Sequence, residues 1–418
     1  MQTQTIHKEV LRVLQSRFKL SVVAGMLREL RRAAALERRL VGAGGGETYR
    51  RTRHEFSLSD RRYLDHVITF CNAKLKPWDA IGVVIAIGDI FRDHGDLIRS
   101  EELYTIGIMR GEDAGEESLV GEAYLRRGDL CSRQGRWKES TSDLNESRKI
   151  YRKLSDGRGV GRVENVIGTN LALQGKLKKA RQCYTRALAA FEKSEEKLMT
   201  GTVLMNLGIV YNILGSYDDA MGYYRRAHSY FDEVGNVQRL MELHHNMGMT
   251  YYFKAAYKDA MYEFDASIKL ATKLHNVNIL ATASLGKAST CYQKNDPRLA
   301  LIFVNQALHY YNISNDRNGI ADSYKVKGMI HREMKQYSVA LSFFQASLRI
   351  NAELKNELNT AETHFEMGVL EVNRRNRRRA REIFAQALEH FTNVGASKEV
   401  ARTEQELASL KGKSLQHA

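Results

Sequence analysis

Apolar residues recur three and four positions apart through most of the chain, the spacing of one buried helix face. At the start Ile6, Val10, Val13, Leu14, Phe18, Val22, Met26, Leu30 and Ala34 predict an amphipathic helix within residues 1–41. Further on, the helical pattern acquires a longer period. Glycine or alanine stands forty residues apart at Gly88, Gly128, Gly168, Gly208, Gly248, Ala288, Gly328, Gly368 and Ala408. A second ladder of small residues follows at Ser100, Ser140, Ala180, Ala220, Ala260, Ala300, Ala340 and Ala380, and a third runs from Gly107 and Ser147 to Ala387. Between these two lies a large rung: Tyr104, Leu144, Tyr184, Tyr224, Phe264, Val304, Phe344 and Phe384. Small residues let helix axes approach and the large residue fills the space left, so each period is expected to form a close-packed helical hairpin. Fixed self-similarity of this kind marks an array of repeats.

From about residue 81 to 396 the chain resembles the tetratricopeptide repeat, most clearly in Leu204, Leu207, Gly208, Tyr211, Gly215, Tyr217, Ala220, Tyr224 and Ala227. The period exceeds the roughly 34 residues usual for that repeat. The joints between hairpins fall at segments such as Val234-Gly235-Asn236, Leu274-His275-Asn276 and Val394-Gly395-Ala396, and the longer unit is similar to that of the LGN/Pins adaptors. The resemblance implies an all-α fold, a right-handed superhelical solenoid of antiparallel helix pairs, with about eight repeats and a C-terminal capping helix. Around it we expect the N-terminal helix (1–41), a Gly/Arg linker (42–56), a half-repeat helix (57–76), the array (81–396), the capping helix (397–411) and a tail (412–418). A cap with a polar outer face closes such a stack against water.

In the family the second, fifth, sixth, ninth and twelfth positions of each repeat face a concave groove. Carried onto this chain they include Asp89, Arg92, Glu122, Arg126 and Asp129 near the start, and Glu362 near the end. The expected partner-binding groove comprises Arg162, Asn165, Met205, Asn206, Asn212, His245, Asn246, Met249, Tyr252, Tyr292, Lys325 and Arg332. Amides there can hold a peptide backbone, while Met and Tyr provide apolar anchors. The competing reading is that Asn206 and Asn246 tie neighbouring helices together. If they and their neighbours do form the groove, alanine at Met205, Asn206, His245 and Asn246 together should abolish capture and spare the melt. The lysine and asparagine pattern by which some members hold a chaperone C-terminus is absent, since Lys325 is the only fifth-position lysine. Arg127, Lys287 and Lys327 replace the apolar seventh position, and His331 and Glu371 the aromatic eleventh.

Charge adds a second surface. The chain carries 64 basic and 49 acidic residues, a net +15. Residues 1–76 hold 16 basic and 7 acidic, so +9 of the excess sits there and +6 in the rest. Another basic patch is Arg374, Arg375, Arg377, Arg378, Arg379 and Arg381, at a turn and the helix after it. Such clusters hold phosphates or acidic protein surfaces, or are simply solvated. No aromatic platform is interleaved with them, which disfavours single-strand stacking.

Composition excludes several classes. Two prolines leave the helices uninterrupted, and four scattered cysteines make no disulfide framework, Cys131 and Cys291 occupying core positions. The longest apolar run, Ile81 to Ile87, is too short to span a bilayer, and no signal peptide is evident. Gly412-Lys413-Ser414 resembles the end of a phosphate loop, but Leu407 stands where its first glycine belongs; Gly157, Gly159 and Gly161 lack a preceding strand. Neither the thirteen histidines nor any nucleophile forms a catalytic or metal set. The expectation is therefore a scaffold or adaptor with no enzymatic activity, metal or cofactor. Its groove would bind a peptide or helical segment of a partner protein, one carrying acidic residues, in a multiprotein complex, with a cytoskeletal or ciliary assembly as the finer expectation. Self-association through the N-terminal helix is a further expectation, as is cytoplasmic residence, with organellar import the alternative. The rival readings are a nucleic-acid-associated factor and a peptide-sensing regulatory receptor.

Overall fold

The computed structural model describes residues 2–17 and 58–412. Among these there are nineteen helices and no strand. They are α1 (Gln2–Arg17) and α2 (Leu58–Lys74), then hairpins α3 (Pro77–Asp93) with α4 (Leu97–Ala114), α5 (Glu117–Arg133) with α6 (Trp137–Lys153), and α7 (Gly157–Leu173) with α8 (Leu177–Lys193). There follow α9 (Lys197–Ile213) with α10 (Tyr217–Glu233), α11 (Val237–Phe253) with α12 (Tyr257–Leu274), and α13 (Val277–Gln293) with α14 (Pro297–Ser314). The series closes with α15 (Arg317–Glu333) and α16 (Tyr337–Leu354), α17 (Glu357–Asn373) and α18 (Arg377–Asn393), and the single helix α19 (Ser397–Gly412). Two compact units, Met1–Asn206 and Leu207–Ala418, divide the chain within α9. In each unit, adjacent helices pack in pairs and successive pairs stack. The expected extension of the first helix to residue 41 and the linker 42–56 lie outside the described residues.

The glycine and ring ladders are two halves of one contact. A Cβ at Gly168 would lie 2.7 Å from the Tyr184 ring, at Gly248 2.7 Å from Phe264, at Gly328 2.5 Å from Phe344 and at Gly368 2.6 Å from Phe384. Each of these four first helices thus receives an aromatic ring of its second helix against bare backbone, and Gly128 receives Leu144 in the same way, at 2.9 Å. Where the ladder carries Ala288 instead, the rung is the smaller Val304, and both are fully buried. Volume is conserved across the pair, as a packed interior requires. Three of the small rungs that are serine rather than alanine spend their hydroxyls on a facing carbonyl: Ser140 donates to Gly128 O at 2.7 Å, Ser147 to Gly121 O at 2.7 Å and Ser267 to Met241 O at 3.0 Å, while Ser347 pairs with the Thr363 hydroxyl at 3.3 Å. A buried hydroxyl needs such a partner. Gly328→Ala is expected to destabilise unit 2 by about 1–3 kcal/mol, since overpacking outweighs the gain in helix propensity. Adding Phe344→Val, which copies the Ala288 and Val304 pair, should recover part of that loss in a denaturant double-mutant cycle; strictly additive effects would refute the pairing.

The joints follow a twenty-residue rule. From Gly95 and Gly115 to Arg375 and Gly395, every twentieth residue adopts a left-handed backbone, and nine of these are not glycine, among them Ser155, Ala255, Lys335 and Arg375. Between hairpins the next residue caps the following helix. Asp156, Asn236, Asn276, Asp316 and Asn356 each accept from the backbone N–H three residues on, at 2.9–3.2 Å. That contact satisfies one of the orphan donors of a helix N-terminus.

In unit 1, Val10 and Leu14 of α1 are buried with Leu64, Val67 and Cys71 of α2 and with Val83, Ile87 and Phe91 of α3. His94 meets Glu9 at 3.0 Å beside them. These two residues of the stripe expected to serve self-association are therefore spent inside the unit.

The departures from the repeat pattern are compensated. Arg127 donates to both carboxylate oxygens of Asp143 at 2.7 and 2.8 Å. Lys287 pairs with Asp265 at 2.5 Å and sits 4.0 Å from the Phe303 ring centroid, and Lys327 lies 4.5 Å from that of Phe343. His331 stacks on Phe343 at 5.2 Å, while Glu371 pairs with Arg374 at 2.8 Å. Each cation or polar group at an apolar position has brought its own counter-group or ring face.

Candidate binding cavity

The two units use their first helices differently. In unit 1 the positions expected to face a groove are tied to one another. Asp89 accepts from Arg92 and from Tyr104 Oη, both at 2.7 Å, and Arg126 lies 3.7 Å from Asp89 and 2.7 Å from Glu122. Arg162 reaches Glu122 with two N–H groups at 2.5 and 2.7 Å, and Tyr151 Oη donates to Glu122 at 3.1 Å. Burial opposes the charge on Glu122, but the hydrogen bonds from Arg162 and the fields of Arg126 and Arg162 outweigh it and hold the carboxyl down to about 2. The result is a self-satisfied ladder across α3, α5 and α7. Asn206 Nδ2 donates to Asn165 Oδ1 at 3.0 Å, joining α7 to α9, so the helix-tying reading applies to this pair.

In unit 2 the first helices α11, α13, α15 and α17, with α18 and α19, line a half-open cavity of about 580 Å³. That volume is within the range of small-ligand and peptide-residue sites. Tyr252, Tyr292 and Lys325 line it, as expected from the repeat positions. Arg332 stands behind the wall, donating to Glu366 Oε2 at 2.6 Å, to the Glu366 carbonyl at 2.9 Å and to Tyr292 Oη at 3.2 Å. Lys325 is held between Asp322 at 3.2 Å and Glu362. Burial works against the Lys325 charge, yet the two carboxylates outweigh it and raise its pKa. The ammonium is therefore fixed and spoken for.

Other expected residues lie elsewhere. Asn212 Oδ1 accepts from Thr250 at 2.9 Å, a tie between α9 and α11. Met249 packs on the Phe264 cluster beside Tyr252, and Asn246 is half-buried on α11. Met205 is only 4% exposed. The His245 ring lies 5.8 Å from that of Phe264, and its Nδ1 is buried with no partner among the described residues. Met205 and His245 thus belong to the helix interface, and alanine at the expected quartet would cost packing as well as any binding. The patch from Arg374 to Arg381 forms an exposed edge, partly neutralised within itself: Arg374 by Glu371, and both Arg378 and Arg379 by Glu382 at 3.3 and 2.9 Å. Arg381 also donates to the Leu410 carbonyl at 3.4 Å.

Sequence reasoning missed much of the lining, including Phe253, Asn359, Phe365, Glu366, Phe391, Glu399 and Arg402. A signal existed for some. Phe365 and Glu366 are the fifth and sixth positions of their period, and Arg402 is the second position of the incomplete ninth. Phe391 comes from a second helix, and Glu399 from the first turn of the cap, so no groove register would have found them.

Comparison with known proteins agrees with the helical-repeat fold. A tetratricopeptide repeat family model matches residues 119–193 and again 159–233. Among solved structures, a Rap protein complexed with competence and sporulation factor superposes with a TM-score of 0.56 at 14% identity, covering 80% of this chain and 98% of that one. Apo RapI gives 0.57 at 12% identity, covering 81% and 99%. The apo quorum sensor NprR from B. thuringiensis gives 0.55 at 14% identity, covering 93% and 99%. A search of curated protein sequences finds no match. The fold and the repeat match together define a tetratricopeptide-type helical repeat scaffold. No helix among the described residues is long and apolar enough to cross a membrane.

Proposed function

We propose that the chain is a non-catalytic scaffold that captures a peptide segment of another protein in the unit 2 cavity. The observation that carries this reading is the cavity itself, about 580 Å³ with Tyr252, Phe253, Tyr292 and Phe365 among its walls and charged groups from α15, α17 and α19 around them. Ordered walls leave most of the entropy cost of binding to the ligand. Unit 1, whose corresponding positions satisfy each other, serves in this reading as a rigid support. The forty-residue unit keeps the LGN/Pins-type adaptor, assembling a cytoplasmic or cytoskeletal complex, as the finer form of the proposal. The regulatory-receptor form draws on the fold shared with NprR, a quorum sensor, and with a Rap protein complexed with competence and sporulation factor. The test is to fill the cavity. Ser289→Trp should lower recovery of co-purifying protein by about tenfold or more, at low and high salt and after nuclease. Lys269→Trp, on an exposed position of α12, should have no effect. Equal recovery by both variants would remove the cavity from the function, and recovery lost with salt or nuclease in the unmodified chain would favour nucleic acid at the Arg374 to Arg381 edge.

A further inference from the structure

Within the peptide-capture reading, the cavity lining sets four carboxylates, Asp322, Glu362, Glu366 and Glu399, against two cations, Lys325 and Arg402, and the pairing among them is uneven. Lys325 is matched by Asp322 and Glu362, and Arg332 by Glu366. Arg402, which also lines the cavity, has no carboxylate partner among the described residues; its guanidinium carbon instead sits 4.2 Å from the centroid of the Phe365 ring. Glu399, one turn earlier on the same helix and in the same wall, does not pair with it. A guanidinium resting on a ring face is oriented without spending its N–H donors, so its planar fork remains available for a bidentate acceptor. Phe365 and Phe391 are themselves almost fully buried, and Phe365 forms the floor on which the guanidinium rests.

We propose that Arg402 is the specificity-determining residue of this cavity and recognises a carboxylate of the bound peptide. Glu399 is then free to accept a backbone N–H of the same segment. This assigns α19 a second role: besides covering the last hairpin, it supplies the charged wall of the site. It also distinguishes the cavity from the Arg374 to Arg381 edge, where the guanidinium groups of Arg374, Arg378 and Arg379 already have carboxylates. The inference rests on the peptide-capture reading, and its test separates the two.

The probe is a positional-scanning nonapeptide library with one residue fixed in each mixture, made both with a free C-terminal carboxylate and with a C-terminal amide, and passed over the immobilised full chain. Mixtures fixed as Asp or Glu should be retained about fivefold more than their Asn or Gln counterparts if a side chain is read. If the chain terminus is read, the acid series as a whole should exceed the amide series instead. In Arg402→Gln either preference should fall towards one, and Arg402→Lys, which keeps the charge but loses the fork, should retain only part of it. Circular dichroism should show Arg402→Gln melting within about 2 °C of the parent chain. A preference for Lys or Arg, no carboxylate preference, or one unchanged in Arg402→Gln would overturn the assignment while leaving peptide capture intact. Retention of no mixture above background would overturn both.

Discussion

Glu122→Ala is expected to destabilise unit 1 by about 3–5 kcal/mol, because it strips the shared counter-ion from two guanidinium groups already drawn out of water. Arg162 loses both of its acceptors, and Arg126 keeps only Asp89 at 3.7 Å. Tyr151 Oη also loses its acceptor. Hydrogen exchange should show the loss first in α5 and α7, since stability in a stacked array passes chiefly between neighbouring repeats. The same carboxylate has a pH signature. Its pKa is held at about 2 against an ordinary 4.5, so the folded state binds the proton less readily than the unfolded one. The stabilisation is complete above the unfolded value and is lost as pH falls through about 2, amounting to roughly 3 kcal/mol. Denaturant curves of the parent chain and of Glu122→Gln should converge as pH is lowered across that window. Parallel curves throughout would mean that Glu122 does not anchor the ladder.

Unit 2 should respond to acid earlier, and through different chemistry. Burial pushes His245 down to about 4, and burial together with the neighbouring His390 does the same for His364. The Nδ1 atoms of His245 and His364 are buried without a partner among the described residues, and the His364 and His390 rings stack 5.7 Å apart. The unfolded chain takes up these protons near 6.5 and the folded chain only near 4, so each histidine's contribution is fully present above about 6.5 and fades as pH falls towards 4. At about pH 5 the loss is on the order of 2 kcal/mol for each, or about 4 kcal/mol for the pair. His245→Leu with His364→Leu should flatten the dependence of melting on pH between about 7 and 5. A double variant that still loses stability in this window would place the sensitive groups elsewhere. The expectation also sets a practical condition: binding assays at mildly acid pH would report weakened helix packing as well as any effect in the cavity.

The repeat itself was legible in the residues. The ladder from Gly88 to Gly368 and the rung from Tyr104 to Phe384 place a small residue and a ring in register, and close-packed helix pairs are the only economical use of that combination. The compensating Ala288 and Val304 were legible too, since both depart from the pattern in the same period. The left-handed joints were half visible. Gly95, Gly215 and Gly395 announce them, whereas Ala255, Lys335 and Arg375 adopt the same backbone at the turn inside a hairpin without being glycine. Roughly 1 kcal/mol of backbone cost at each is evidently outweighed by packing.

Side-chain direction was much less legible than helix position. A repeat register says which residues belong to one helix face, but Met205 and His245 turn into the interface while Tyr252 and Tyr292 line the cavity, and a small rotation of the helix decides between the two. Ion pairing is hidden for the same reason: Arg162 and Lys325 look alike as groove cations until their partners forty and thirty-seven residues away are seen to be Glu122 and Glu362.

By itself, then, the sequence determined a helical array, its period, its tight Gly-to-ring contacts and the absence of recognisable catalytic motifs, since these depend on residue size and spacing along one chain. Only the tertiary structure decided which charges are spent and which remain. Pairing energy depends on distances between side chains of different hairpins, and those distances leave Glu122 neutralised by arginine in one unit and Arg402 stacked on Phe365, with no counter-ion among the described residues, in the other.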